Sequence, residues 1–328
     1  MRSSRLNLAL DTGAVTLPPE GPVAVFRPRV GDDLSDLPKE RVVVLTGFRP
    51  DVEHFAARGY AVEPAAPYAA ALVCLPRAKA EARALIAQAA AEVVPGGRVI
   101  VDGQKTDGVD AVLKDLRKRV ALSESLSKAH GKLASFAAGP GLEDWAARPT
   151  IIEGGFQTLP GVFSADAPDR GSVMLAAALP TKLGPKVADL GAGWGYLARA
   201  VLARDGVKRL DLVEAEAAAL ECARVNIVDD RVRFHWADAT TFRPENLVET
   251  VVCNPPFHTG RDADAGLGAA FITAARRMLA PDGVLWLVAN RHLPYDAVLT
   301  ALFLDVEEMA GDGTFRVIRA KKPKRAKP

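Results

Sequence analysis

Lys186-Val-Ala-Asp189-Leu190 runs directly into Gly191-Ala-Gly193-Trp-Gly195, and that cluster runs into the helical pattern Tyr196-Leu-Ala-Arg-Ala-Val-Leu202. An apolar run, a glycine-rich turn and a helix in this order read as one repeat of a parallel α/β sheet. Glycines permit positive φ and leave no Cβ in the way, so a ligand can approach the backbone closely. The spacing is G-x-G-x-G, unlike the G-x-G-x-x-G of a dinucleotide fingerprint, and the strand ends in an acid. Asp189 at such a turn suits an ammonium group better than a pyrophosphate.

Three further strand ends follow. Arg209-Leu-Asp-Leu-Val-Glu214 ends in an acid able to accept both ribose hydroxyls of a nucleoside. Phe234-His-Trp-Ala-Asp238 ends in one that could accept from an adenine amino group, and Thr250-Val-Val-Cys253 leads into Asn254-Pro255-Pro256-Phe257. Taken singly these are ambiguous, since an acid after a strand is often only a helix N-cap. Taken in succession they predict one shared pocket, because open parallel sheets bind ligands at the carboxyl ends of their strands.

Asn254-Pro255-Pro256-Phe257 suits the methylation of a planar amine. The lone pair of such an amine is delocalised into its ring or carbonyl, which makes it a poor nucleophile. Acceptors aimed at its two N–H groups, here the Asn254 side-chain oxygen and the Pro255 carbonyl, would align it and favour the charge that develops on nitrogen. The prolines fix φ and stiffen the turn. Phe257 is expected to stack on the target ring.

Residues 160–320 resemble the class I S-adenosylmethionine-dependent methyltransferases with an Asn-Pro-Pro-[Phe/Tyr] motif, and most closely the bacterial ribosomal RNA guanine-N2 methyltransferases of the small-subunit kind. Three stretches carry the closer resemblance: Pro160-Gly-Val-Phe163-Ser-Ala-Asp-Ala-Pro-Asp169-Arg-Gly171-Ser172, Cys253-Asn-Pro-Pro-Phe-His258 and Leu287-Val-Ala-Asn290-Arg-His-Leu-Pro294-Tyr295. The resemblance implies S-adenosylmethionine as cofactor, the N2 amine of a guanine in ribosomal RNA as acceptor, and Phe163, Asp169 and Ser172 over the methionine end of the cofactor. Asp189, Gly191, Gly193 and Gly195 would then hold the amino-acid portion, Glu214 the ribose and Asp238 the adenine. The motif also admits an adenine N6 or a protein glutamine methyltransferase. A ribosome-assembly factor that uses the fold only to bind RNA is the reading from another class.

The first half repeats the second in outline. Ala71-Leu-Val-Cys74-Leu-Pro-Arg-Ala, a helical stretch, then Val94-Pro-Gly-Gly97-Arg-Val-Ile-Val-Asp102 mirrors Val251-Val-Cys253-Asn-Pro-Pro-Phe, a helical stretch, then Ala280-Pro-Asp-Gly283-Val-Leu-Trp-Leu-Val. Leu75-Pro-Arg-Ala stands in place of the catalytic motif. The glycine turn also lacks a counterpart, since Val42-Val-Val-Leu-Thr-Gly47-Phe-Arg-Pro50 keeps one glycine. The expected fold is α/β, with two Rossmann-like methyltransferase domains in tandem: a degenerate one over 1–140, a linker over 141–159, and a catalytic one over 160–328 with a doubly wound, mostly parallel seven-stranded sheet. Trp145 is expected at the interface between them.

At 328 residues, 49% hydrophobic and 25% charged, the chain can bury a core in each domain. No apolar run approaches the roughly 20 residues that span a bilayer, and the amino terminus lacks the pattern of a signal peptide. Cys74, Cys222 and Cys253 form no metal-ligand spacing, so reduced thiols in a cytoplasmic protein without a metal are expected; a monomer is expected as well. Net charge is only +2, but Lys321-Lys-Pro-Lys-Arg-Ala-Lys327, preceded by Arg316 and Arg319, is a basic tail able to neutralise RNA phosphates. The loop 259–268 is expected to act as a lid, and His258 to contact loop or RNA rather than to act as a base.

Overall fold

The computed structural model of the chain describes residues 2–256 and 265–324. Phe257, His258, the lid segment 259–264 and the tail residues 325–328 lie outside the described residues. The chain divides into two units, Met1–Pro149 and Thr150–Pro328.

In the first unit the elements run α1 (Ser3–Asp11), β1 (Val23–Phe26), β2 (Val42–Leu45), α2 (Arg49–Ala57), β3 (Tyr68–Cys74), α3 (Lys79–Glu92), β4 (Val93–Gln104), α4 (Val109–Leu116), β5 (Leu126–Lys128) and β6 (Gly131–Ala137). Strand β3 is an almost unbroken apolar run because helices cover both faces of a parallel sheet and leave little polar exposure. The six strands pair in the order β2-β1-β3-β4-β6-β5, with β6 and β5 antiparallel.

The second unit contains β7 (Thr150–Ile152), β8 (Phe156–Thr158), α5 (Arg170–Ala178), β9 (Lys186–Leu190), α6 (Tyr196–Leu202), β10 (Arg209–Glu214), α7 (Ala217–Asn226), β11 (Val232–Trp236), β12 (Val248–Cys253), α8 (Ala265–Met278), β13 (Leu279–Asn290), α9 (Asp296–Leu302), β14 (Phe303–Gly311) and β15 (Phe315–Pro323). Its main sheet has seven strands in the order β11-β10-β9-β12-β13-β15-β14, the first five parallel. This is the order of the first unit with one outer strand added. Hydrophobic clusters pack on both faces of each sheet.

The two sheets share a local irregularity as well. Opposite Tyr68 and Ala70 the partner strand jumps from Val93 to Arg98, and opposite Val248 and Thr250 it jumps from Leu279 to Val284. The segments Pro95-Gly-Gly97 and Pro281-Asp-Gly283 fall at these irregularities inside β4 and β13. Cys74 and Cys253 are the buried last residues of β3 and β12, in matching sheet positions.

Three expectations change. By sheet order the counterpart of β9 is β1, so the segment matching the glycine turn is Arg27-Pro-Arg-Val-Gly31 and not the stretch after Val42. The expected linker over 141–159 is folded: Glu143–Trp145 form a 3-10 turn with Trp145 buried in the first unit's core beneath the Arg83 and Arg119 guanidiniums, and β7 and β8 pair as a hairpin in the second unit. Lys321–Pro323, read as tail, belong to β15, and Ala265–Gly268, read as lid, belong to α8.

The first unit replaces a small polar pair with arginines. Helix α1 packs on β5 and β6 as α5 packs on β14 and β15. Arg2 and Arg5 hold the N-cap and third positions of α1, where α5 has Asp169 and Ser172. Arg5 is fully buried and binds Asp102 in bidentate fashion, Nε to Oδ2 and Nη2 to Oδ1, each at 2.8 Å, while Arg2 Nη1 reaches Oδ1 at the same distance. Replacing Arg5 would leave Oδ2 of a fully buried carboxylate unpaired, with Arg2 alone on Oδ1. Arg5→Ala is therefore expected to destabilise the first unit by about 3–5 kcal/mol, read as a lower denaturation midpoint; an unchanged midpoint would contradict this account.

Candidate active site

Strands β9 and β12 are neighbours, yet the chain leaves β9 towards β10 and β11 and returns to β12 on the other side. The winding reverses between them, which opens a crevice beyond their carboxyl ends. The Gly191–Gly195 turn stands on one side of it and Asn254 on the other. A hollow of about 40 Å³ between these walls is lined by Phe163, Asp169, Ser172, Gly191, Gly193 and Asn254, with Ser164, Trp194 and Tyr196 beside them. That volume is on the order of one water molecule. The hollow alone is too small for a nucleoside, and Glu214 and Asp238 lie at the neighbouring strand ends outside it.

The turn itself is shaped for a ligand. Gly193 has φ +56°, and a Cβ there would meet nothing within 4 Å, so its bare α-carbon faces open space. Gly195 has φ +94° and no such room, since a Cβ would lie 3.0 Å from the Ile227 side chain. The first glycine keeps the crevice open and the second lets α7 pack close.

Asp189 lies beneath the turn, fully buried, and neither carboxylate oxygen meets a hydrogen-bond partner. Burial, with the nearby Glu214 charge adding to it, pushes its pKa up to about 8, against a weak opposing pull from the Ala198 N–H. Unpartnered buried carboxylates are costly, and a cationic donor from a ligand would relieve the cost. Glu214 is pinned to the same turn: its Oε2 accepts from the Gly193 N–H at 2.8 Å and its Oε1 from the Glu216 N–H at 2.7 Å. Its pKa is raised by burial and held back by these N–H groups. A carboxylate offers about four acceptor sites, so others remain for hydroxyl donors. Asp238 uses Oδ1 to accept from the Thr240 N–H and hydroxyl, both at 2.7 Å, which leaves Oδ2 for another donor. Asp189, Glu214 and Asp238 do not line the small hollow; they follow the strand ends β9, β10 and β11 outward from it.

On the opposite wall Asn254 is held by its nitrogen. Nδ2 donates to Asp169 Oδ2 at 2.9 Å and to Ser172 Oγ at 2.8 Å, and the same Asp169 oxygen accepts the Ser172 N–H at 2.9 Å as the N-cap of α5. Both amide protons are committed, so Oδ1 is what the side chain can offer to a substrate. Pro255 behind it is buried and Pro256 is exposed. Phe257 lies outside the described residues.

Sequence reading missed the residues that roof the turn. Trp194 Nε1 donates to the Phe163 carbonyl at 2.8 Å, which places Phe163, 59% exposed, at the mouth of the crevice. Asn226 donates to the Trp194 and Gln157 carbonyls, each at 2.8 Å, and accepts the Gln157 N–H at 2.7 Å, tying the β7–β8 hairpin to the glycine turn. The Arg199 guanidinium stacks 3.4 Å over the Phe156 ring and donates to the Gly154 carbonyl. A Trp inside the glycine motif was a visible signal; Asn226 at the end of α7 gave none. Among the described residues no cluster of three or more His, Cys, Asp or Glu could hold a metal ion.

The chain is similar to known proteins. Residues 153–319 match the family model described as methyltransferase small domain. Two bacterial proteins named ribosomal RNA small subunit methyltransferase C are each 29% identical: that of Psychromonas ingrahamii over 258 residues, covering 75% of this chain and 74% of its own, and that of Shewanella amazonensis over 262 residues, covering 76% of each. A T. thermophilus 16S rRNA N2 methyltransferase, solved in complex with AdoMet and guanosine, is 27% identical with a TM-score of 0.77, over 94% of this chain and 90% of that one.

A ligand whose cation sits over the buried Asp189 carboxyl would bind in a pH-dependent way. With its pKa raised to about 8, Asp189 is mostly protonated at pH 6 and ionises as pH rises, and a cationic ligand favours the ionised form. S-adenosylmethionine affinity measured by calorimetry is thus expected to rise several-fold between pH 6 and 8 and to lose that dependence in Asp189→Asn. The same pH dependence in wild type and variant would contradict this role.

Proposed function

The chain belongs to the methyltransferase small domain family, and from that premise we propose that it transfers a methyl group from S-adenosylmethionine to the exocyclic N2 amine of a guanine in small-subunit ribosomal RNA. The observation that carries this reading is the Asn254 carboxamide, anchored through its nitrogen so that an acceptor faces the crevice. Guanine N2 carries two N–H groups, and Asn254 Oδ1 with the Pro255 carbonyl can take one each. The target guanine must leave its stack to reach them.

Bound S-adenosylmethionine supplies an electrophilic methyl on a positively charged sulfur. Residues of this chain then act by position. Gly191, Gly193 and Gly195 admit the amino-acid portion close to the backbone, with Asp189 beneath it and Phe163, Asp169 and Ser172 around it. Glu214 accepts from the ribose and Asp238 from the adenine. Asn254 and Pro255 orient the amine in line and stabilise the positive charge as it grows on nitrogen. Phe257 stacks on the base. The proton leaves a cationic amine readily, so a base such as His258 is not required.

The first unit takes no part in the chemistry on this reading. Arg2 and Arg5 occupy the helix positions that Asp169 and Ser172 hold in the second unit, and Leu75-Pro-Arg-Ala replaces the catalytic motif. Among the described residues no helix is long and apolar enough to cross a membrane. The protein is proposed to work as a cytoplasmic monomer.

Asn254→Ala removes an acceptor used most in the transition state. Turnover is expected to fall by about 10²–10³-fold, roughly 3–4 kcal/mol, with S-adenosylmethionine affinity within about twofold of wild type. Near-normal turnover would remove Asn254 from the mechanism. Asp169→Ala frees the amide to rotate and is expected to lower kcat more than it raises KM for RNA. Asp169→Asn keeps an accepting oxygen and should recover part of that loss; equal defects in the two variants would argue against an orienting role.

A further inference from the structure

The opposite end of the second unit's sheet carries a larger depression. Where β12, β13 and β14 begin and β15 ends, a cleft of about 630 Å³ is lined by Arg276 and Arg277 from the end of α8, by Lys322 and Lys324, and by Leu247 and Leu304. The two leucines are 49% and 69% exposed. Four cations there face one carboxylate, Asp282.

Three of these cations, Arg276, Arg277 and Lys324, are fixed by backbone carbonyls without being neutralised, and Lys322 is exposed beside them. Arg276 donates to the Lys324 carbonyl, Arg277 donates to the Thr240 and Phe242 carbonyls at 2.9 and 3.3 Å, and Lys324 Nζ donates to the Thr300 carbonyl. None of the four forms an ion pair among the described residues. The contrast lies on the same strand, where Arg316 pairs with Asp296 and Arg319 with Glu307. Carbonyl partners orient a guanidinium but leave its charge available, so the cleft presents a fixed positive field beside exposed apolar side chains.

We propose that this cleft holds the sugar-phosphate backbone of ribosomal RNA flanking the target guanine; the inference rests on the RNA-methyltransferase reading above. Strand β12 is six residues long, so its two ends are about 17 Å apart in a straight line through the sheet. RNA whose guanine sits at Asn254 takes a longer route over the surface, and a flanking segment of the same molecule several nucleotides long can reach the cleft. The cations bind phosphates, and Leu247 and Leu304 give unstacked bases or riboses an apolar surface. An acidic protein segment would require a separate partner, and it is tested as the competing outcome.

The test uses the full chain with Lys322→Glu/Lys324→Glu, and with Lys322→Ala/Lys324→Ala to remove charge without adding acid. The probe is a labelled single-stranded RNA from the small-subunit ribosomal sequence, titrated at several salt concentrations. RNA affinity is expected to fall about tenfold in the alanine pair and further in the glutamate pair. The slope of log K against log salt should become shallower by about one to one and a half, at about 0.7 per lost phosphate contact on single-stranded nucleic acid. S-adenosylmethionine affinity should be unchanged. An unchanged RNA affinity and slope in folded variants would overturn the proposal, and poly-glutamate binding lost in those variants while RNA binding persists would overturn it in favour of an acidic protein partner. Methylation by the wild-type protein is measured separately: its failure would remove the RNA-methyltransferase reading, whereas a normal wild type with insensitive variants removes only the cleft.

Discussion

A carboxamide has an oxygen end and a nitrogen end of nearly equal size, and only the oxygen can accept from an amine. Asn254 solves this through two bonds from Nδ2, to Asp169 and to Ser172, both supplied by the first turn of α5. That turn is itself set by Asp169 capping the helix onto the Ser172 N–H. The orientation of the Asn254 amide therefore depends on how α5 packs against β13 and β15, and on the buried apolar register that keeps β12 next to β9. The other wall is built on the same logic: Glu214 holds the glycine turn by its Gly193 N–H, and Asn226 and Trp194 tie the turn to the hairpin and the Phe163 loop.

The same scaffold without these polar groups occupies the first unit. Strand order, the bulge opposite the start of the central strand and the buried cysteine at its end are common to both sheets. What differs is what the helix start delivers: Asp169 and Ser172 in one, Arg2 and Arg5 in the other. Two small hydrogen-bonding groups leave room to hold an amide, whereas a guanidinium locked on Asp102 fills its surroundings with its own side chain. Packing and chemistry are thus separable in this fold, because the core uses strand interiors and the site uses strand and helix ends.

That separation also governs what could be read from the sequence. Parallel central strands are buried on both faces, so β9, β10 and β12 appear as apolar runs whose ends are marked by Gly, Asp, Glu or Asn-Pro, and the sheet and the polar residues at its strand ends were legible from these marks. Strand β1 is only Val-Ala-Val-Phe before Arg-Pro-Arg, which is why its correspondence, by sheet order, to the glycine-turn strand was missed. The stretch 141–159 was expected as a linker, but the hairpin within it is defined by tertiary bonds to Asn226 that no local pattern encodes. Nor could the sequence show that both Asn254 amide protons are used, since Asp169 lies 85 residues away from it.

The central claim is that an oriented amide at the end of β12 presents guanine N2 to the methyl donor. Its most direct measurement is nucleoside mass spectrometry of small-subunit ribosomal RNA after incubation with the purified protein and isotope-labelled S-adenosylmethionine. The account predicts label in N2-methylguanosine with the wild-type chain and little or none with Asn254→Ala. Label in N6-methyladenosine instead, or equal N2-methylguanosine from both proteins, would contradict it.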